Sequence, residues 1–374
     1  MVRRKTFDSI PDDLIIEIFS RLSTKSICRC RCVSKLWAFR LYRHDFTELF
    51  LTKSSARPSL LFAVPQHREW SFYSTPQPQN PYEKSSVVVA ATDFLTKFSK
   101  GTSDCDCSFA SGLIYFRNMC IPREDLDDKR VICNPLTGQY VILPEFRRGY
   151  SYSYLGFDPL YKEFKVLVMS DYILTLGTGE LRWRTIQCPF QHLPCRENIC
   201  INGVLYYSAR HVSNAEGKLD GINIKVRYAS NGGFLVELSM WVLEDVDKQE
   251  WSKYAYTLWD DESNVAIHKG DLSVSGMTAT GDIVLSMKYA SNPYYVFYFN
   301  PERNTLQSVE IQGVRANHNS IVYAFVDYVE DLSVQNFVPK RPKPRRRQCT
   351  SHDLSKSSQS VKNKEQNITI IRVA

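Results

Sequence analysis

The stretch Ile10–Leu41, IPDDLIIEIFSRLSTKSICRCRCVSKLWAFRL, is the one part of the 374-residue chain with sustained helical periodicity. From Pro11 onward, Leu14, Ile15, Ile18 and Leu22 fall within about 100° on a helical wheel, while Asp13, Glu17 and Ser20 point the other way. Pro11 suits a first turn, where no intrahelical N–H is lost, and Asp12 and Asp13 set negative charge against the positive end of the helix dipole. A second helix is expected from the Ser23/Thr24 cap, carrying Ile27, Cys30 and Val33 inward, and a third from Ser34, holding Leu36, Trp37 and Arg40. A unit of roughly 40 residues rarely closes a core alone, so this one is expected to fold onto something else.

Outside this stretch the pattern changes. From Val87 to Leu332 many short apolar or alternating runs are separated by turn residues, with Tyr, Phe, Val and Ile prominent. Three runs share one recipe: Val131 to Leu143 around Asn134-Pro135, Leu155 to Met169 around Asp158-Pro159, and Tyr295 to Ile311 around Asn300-Pro301. In each, Asn or Asp can accept from backbone N–H groups just ahead while proline fixes the next φ, which predicts hairpins. Repeated hairpins punctuated by Trp183, Trp241 and Trp251 point to an all-β architecture, either a propeller of small sheets or a large sandwich. Between the two regions, Asp45–Leu61 reads as a short amphipathic continuation and a connection. Leu60–Phe62 and Trp70–Tyr73 read as short strands, and Thr75–Tyr82 as an exposed proline-rich loop.

Composition narrows the function classes. The formal charge is +7, but from Lys340 to Ala374 ten Lys/Arg face two acids, leaving the rest of the chain at −1. A basic nucleic-acid surface on the folded body is therefore not implied. Residues 1–13 lack an apolar signal core, and no run approaches the roughly 18 apolar residues of a membrane helix, so an intracellular soluble chain, nuclear or cytoplasmic, is expected. Eleven cysteines then read as reduced thiols. Cys28, Cys30 and Cys32 do not converge on a metal, because Cys30 faces away from the other two on a helix, and Cys105-x-Cys107 has no second pair at zinc spacing.

The motifs of catalysis do not occur. There is no phosphate loop, nucleophile elbow or H-E-x-x-H, and Gly177-Thr-Gly179 lacks a third glycine. The seven histidines are scattered, and the acidic runs at Glu124–Asp128 and Asp260–Glu262 read as solvated loops. Neither a cofactor nor a metal is expected. Past Phe337, Lys340, Arg341, Lys343, Arg345, Arg346 and Arg347 open a polar stretch whose composition argues for disorder, and the run fits a nuclear-import signal.

The opening stretch resembles a known family. Ile10-Pro11-x-Asp-Leu, Glu17-Ile18-x-x-Arg21-Leu22, Lys25-Ser26-Ile27, Arg31-Cys32-Val33-Ser34-Lys35 and Trp37 are similar to the F-box motif, with Ser23 where that family usually has proline. The resemblance implies docking on a Skp-type adaptor, and through it on cullin and RING subunits of a ubiquitin ligase. The face it implies is Ile10, Pro11, Leu14, Ile15, Ile18, Leu22, Ile27, Cys32, Val33 and Trp37. Farther on, Phe109-Ala-Ser-Gly-Leu113, Cys133-Asn-Pro-Leu-Thr-Gly138, Gly156-Phe-Asp-Pro159, Trp183-Arg184, Ile199 to Tyr207, Trp241 to Asp245 and Glu250-Trp-Ser-Lys253 resemble the F-box-associated domain of plant F-box proteins. That domain implies a kelch-related, propeller-like fold that selects a target protein.

The expectation is thus an α+β multi-domain chain. A three-helix F-box occupies 1–50, a connecting segment 51–86, an all-β propeller-like domain 87–335 and a disordered basic tail 336–374. One departure stands out: the family carries a further strand pair between Tyr207 and Gly217, and this chain runs almost directly from Val212 to Gly217, which would leave one sheet short. Three rival readings remain. They are a propeller enzyme or lectin with a concave pocket, a nucleic-acid binder acting through its tail, and a family member with no competent receptor domain.

Overall fold

The computed structural model describes residues 11–332, other than 67–68, 83–88, 91–92, 100–105, 120–128, 147–151, 169–171, 178–180, 187–191, 202, 212–221, 229–233, 246–249, 261–271 and 318–319. Four helices come first: α1 (Asp12–Ser20), α2 (Thr24–Arg31), α3 (Lys35–Leu41) and α4 (His44–Ser55). The caps fall where the sequence puts them. The Pro11 carbonyl accepts from Leu14 and Ile15 N–H, Ser23 Oγ accepts from Ser26 N–H at 3.4 Å, and Ser34 Oγ accepts from Trp37 N–H at 3.1 Å.

The expected third helix is followed by a fourth, whose Phe46 and Phe50 are fully buried with Ile15, Phe19, Ile27 and Leu41. Ser20, read as outward, is buried and donates to the Glu17 carbonyl at 2.8 Å, a local bond that lets a short polar side chain face inward. Val33, read as inward, is 65% exposed because it follows the end of α2 and no longer obeys that helix's periodicity.

The described strands fall into six sheets. The first region holds β1 (Ser59–Gln66), β2 (Glu69–Pro76), β3 (Val89–Ala90) and β4 (Asp93–Ser99). Next come β5 (Cys107–Ala110), β6 (Leu113–Met119), β7 (Lys129–Cys133) and β8 (Tyr140–Ile142), then β9 (Ser153–Asp158), β10 (Glu163–Val168), β11 (Tyr172–Thr175) and β12 (Arg184–Thr185). A pair, β13 (His192–Ile201) and β14 (Val204–His211), precedes β15 (Ile222–Tyr228), β16 (Phe234–Asp245) and β17 (Glu250–Asp260). The last sheet is β18 (Leu272–Met277), β19 (Ile283–Met287), β20 (Tyr294–Asn300) and β21 (Thr305–Gln312), with β3 added in parallel, and β22 (Tyr323–Tyr328) ends the β-domain.

The β-domain therefore begins at Ser59. Residues 59–76, assigned above to a connecting segment, form two full strands of the first sheet, ordered β22-β1-β2-β4. Their partners lie far along the chain, so periodicity over eight residues could not show the pairing. Thr75, Gln77 and Pro81 are buried rather than part of an exposed loop. Gln77 ties the sheet together: its Nε2 donates to Asp327 Oδ1 at 2.7 Å, its Oε1 accepts from Asp327 N–H at 2.9 Å, and its own N–H donates to the Pro58 carbonyl.

Alternation along one strand shows how the sheets stack. Leu60, Phe62 and Val64 of β1 pack with Tyr294, Val296 and Ile311 of the last sheet, whereas Leu61 and Ala63 pack with Phe116, Val131 and Cys133 of the second. The second meets the third through Tyr115, Ile132, Leu155 and Val166, and the third meets the fourth through Tyr154, Leu167 and Leu205. Val236 and Leu238 of the fifth join the core of the last, where Tyr256 lies edge-on to Phe299 with 5.1 Å between ring centroids. The sheets thus follow one another around a ring, as in a propeller. At its centre β22, β5, β9, β13 and β18 lie side by side, with Phe109 stacked on Phe325 at 5.0 Å.

The fourth sheet has two described strands and the fifth three, against four or five in the others. These two sheets lie on either side of residues 212–221, where the sequence was expected to lack a strand pair. All three predicted turns form. Asn134 Oδ1 accepts from Leu136 and Thr137 N–H, Asp158 Oδ1 from Leu160 and Tyr161 N–H, and Asn300 Oδ1 from Arg303 N–H at 2.9 Å.

Candidate functional site

Ten large apolar side chains are exposed among the described residues, and six of them, Leu14, Ile18, Val33, Leu36, Phe39 and Tyr42, belong to the first three helices and the turns that join or end them. So dense a cluster marks a surface built to be covered. It arises because the apolar stripe of α1 is split. Ile15 and Phe19 turn into the core, where Phe19 meets Trp37 edge-on at 5.0 Å, and Leu14 and Ile18, on the stripe's other edge, turn out to solvent. On α3, Leu36 and Phe39 stand three residues apart on one face, and Tyr42 follows at the C-cap.

Polar contacts brace the face from its sides. Arg40 Nη2 donates to Asp12 Oδ1 at 2.6 Å, joining α3 to α1. Glu17 Oε1 accepts from Arg21 Nη2 at 2.7 Å and from Lys53 Nζ at 3.1 Å, joining α1 to α4. The Arg21 hydrogen bond, then that of Lys53, holds the Glu17 carboxyl below the usual carboxylate range. Arg31 is buried, donates from Nη2 to the Leu41 carbonyl at 2.7 Å and lies 4.0 Å over the Tyr42 ring, which fixes the end of α3; burial lowers its pKa.

Of the residues expected on this face, Pro11, Leu14, Ile18, Cys32 and Val33 are exposed, and Leu22 and Trp37 are partly buried against the helical core. Ile15 and Ile27, at 2% and 0% exposure, lie inside that core and shape the face from beneath. Ile10 lies outside the described residues, as do Cys105, Glu124–Asp128 and the basic run Lys340 to Arg347. Leu36, Phe39 and Tyr42 were not among the residues expected on this face; the i, i+3 spacing from Leu36 to Phe39 is the signal that marks them.

In the β-domain, two cavities beside the inner strands were candidates for the pocket of a lectin or enzyme. One is lined by Asp106, Ser108, Tyr115, Arg117, Tyr152 and Ser153, the other by Phe157, Asp158, Lys165 and Leu205, with volumes of about 10 and 20 Å³. Neither holds more than about one water molecule, far below a sugar. In the first, Arg117 is engaged by Asp106 at 2.8 Å and by the Tyr152 ring at 4.8 Å. No described helix is long and apolar enough to cross a membrane.

Comparison with known families gives two matches. The F-box domain matches residues 7–48, and the F-box associated beta propeller domain matches residues 59–220 and 211–329. The chain belongs to the F-box family. Its F-box is the helical module carrying the exposed face, and its associated domain is the ring of sheets. F-box only protein 12 of Arabidopsis thaliana is 51% identical over 407 residues, covering 96% of this chain and 90% of that protein. Two further F-box proteins of the same plant are 54% and 48% identical, over 88% and 87% of this chain and 96% and 92% of theirs. Among solved structures, a chain titled "YCF48 bound to D1 peptide" aligns over 58% of this F-box protein and 70% of its own length at 9% identity and a TM-score of 0.29, a likeness too low to carry an argument.

The comparisons also show a difference in length. An alignment of 407 residues exceeds the 374 of this F-box protein, so the Arabidopsis relative holds residues this chain lacks. The associated domain matches in two pieces that meet at 211–220. The two short sheets flank the same place.

Proposed function

We propose that this F-box protein is a non-catalytic receptor subunit of an SCF-type ubiquitin ligase. Its F-box docks on a Skp-type adaptor, and through that on cullin and RING subunits, while the β-domain holds a target protein for ubiquitination. The observation that carries the reading is the cluster of exposed apolar side chains on the F-box. Leu14, Ile18, Val33, Leu36 and Phe39 form its centre, with Pro11, Leu22, Cys32, Trp37 and Ile10 around them and Ile15 and Ile27 as buried support. Covering half-exposed side chains of this size recovers on the order of 1 kcal/mol each, enough in sum for a stable complex. Catalysis then comes from tethering, which turns ubiquitin transfer into a local encounter at an effective concentration on the order of millimolar. No cofactor or metal enters this role.

The test is co-purification of the full chain with a recombinant Skp-type adaptor. Leu14→Asp combined with Ile18→Asp is expected to abolish it without unfolding the chain, because both side chains are exposed. Full binding by that variant would remove the assignment of this face. The sheets with only two and three strands among the described residues favour a second reading, in which the F-box docks but the β-domain has lost its target. Capture by the whole chain of the ligase subunits and of no further protein would favour that reading over the first.

A further inference from the structure

The F-box core is not made by the F-box alone. Leu332, which lies four residues beyond β22, is 1% exposed and sits among Ile15, Phe19, Ile27, Leu41, Phe46 and Phe50. Two residues earlier, Glu330 Oε2 accepts from the Thr24 N–H at 2.9 Å and from the Thr24 hydroxyl at 2.8 Å, a contact spanning 306 positions of sequence. Thr24 opens α2 and is 1% exposed, and α2 has no acidic residue in its own first turn. A carboxylate there answers the partial positive charge of the helix N-terminus, and with little water present the charge-assisted bonds are strong.

The covalent connections add to this. The chain leaves α4 at its C-cap Ala56 and enters β1 at Ser59, and Ser59 is the register partner of Tyr328, the last residue of β22. The linker from α4 and the segment that carries Glu330 and Leu332 therefore leave from the same end of two paired strands of the first sheet. A single linker lets a domain swing about it. Two links side by side, a buried leucine and a capped helix end do not.

We infer that residues 330–332 are positioning residues that hold the F-box in one orientation on the β-domain, so that a target on the ring stands at a set distance and angle from the adaptor. The inference rests on the docking reading for its use in ubiquitin transfer; the fixed orientation itself does not. A chain ending at Leu332 keeps the clasp, and a chain ending at Val329 lacks it. Fluorescent amino acids placed by codon reassignment at Lys25 and Tyr161, both exposed, report the angle between the domains by single-molecule energy transfer.

The full chain and the chain ending at Leu332 are expected to give one narrow distribution. The chain ending at Val329 is expected to give a broad one. A full chain carrying Glu330→Ala and Leu332→Ala guards against loss of folding in the truncation and is also expected to broaden, with its circular dichroism retained. The same narrow distribution in that double variant, or in a folded chain ending at Val329, overturns the inference, as does a broad one in the full chain. Adaptor co-purification is scored on the same samples. Its absence from the unaltered chain removes the docking reading and leaves the orientation result intact.

Discussion

At the scale of single residues, the turns show what short-range chemistry can announce. Asn134, Asp158 and Asn300 act on N–H groups two or three residues ahead, so everything needed to foresee their hairpins lies within one short window of sequence. Asn134→Ala removes an acceptor shared by two N–H groups and is expected to cost about 1–2 kcal/mol in urea unfolding. Asp327 is a different case, for its partner Gln77 stands 250 positions away and no local pattern marks it. Burial raises its carboxyl above the ordinary value although the Gln77 hydrogen bond pulls the other way. The folded protein therefore holds this proton more tightly than the unfolded chain, and stability falls as pH rises through the gap between the two values. Asp327→Asn keeps the acceptor and tolerates the φ of +51° found there. It is expected to raise the melting temperature at neutral pH, and the gain is expected to vanish below the ordinary carboxylate range. A gain that persists at low pH would show that charge is not its source.

At the scale of elements, periodicity showed which residues share a face but not which side of the face is covered. The stripe on α1 is real, yet one edge faces the core and the other solvent, and only the placement of α2, α3, α4 and Leu332 decides between them. The same limit applies to α3, where Leu36 is exposed and its neighbour Trp37 partly buried. On the docking reading, Phe39→Ala is expected to weaken adaptor affinity by tenfold or more, about 1.4 kcal/mol, in a titration against the purified adaptor. Where strands cross the centre of the ring the constraint is steric. Gly276 adopts φ of +153°, and a Cβ there would collide with Val326 Cγ2 of β22 and come within 3.7 Å of Ile199 Cδ1 of β13. Gly276→Ala is expected to cost about 1–3 kcal/mol of stability, with partial recovery when Val326→Ala is added, as measured by thermal unfolding.

For the whole molecule, the class of fold was legible and its closure was not. Many hairpins and aromatic punctuation imply sheets, and sequence resemblance implied a ring. That β22 returns to pair with β1, that residues 59–76 belong to the first sheet and that Leu332 completes the helical core all depend on contacts between opposite ends of the chain. The strand pair expected to be missing after Val212 was read from length alone, and the described strands on either side of that place form sheets of two and three. Grafting the corresponding residues of the Arabidopsis relative between Val212 and Gly217 is expected to raise the melting temperature by completing those sheets, and an unchanged or lower value would show that the ring is satisfied as it stands. The return of β22 also sets an order in time. On the ribosome the F-box helices emerge first, at about 5–20 residues per second, but the leucine that fills their core is made only after every strand of the ring has been translated. A nascent chain halted between residue 48 and that point carries the whole F-box motif but lacks the leucine that fills its core. The translation of Leu332, not the appearance of the motif, is when the module becomes whole.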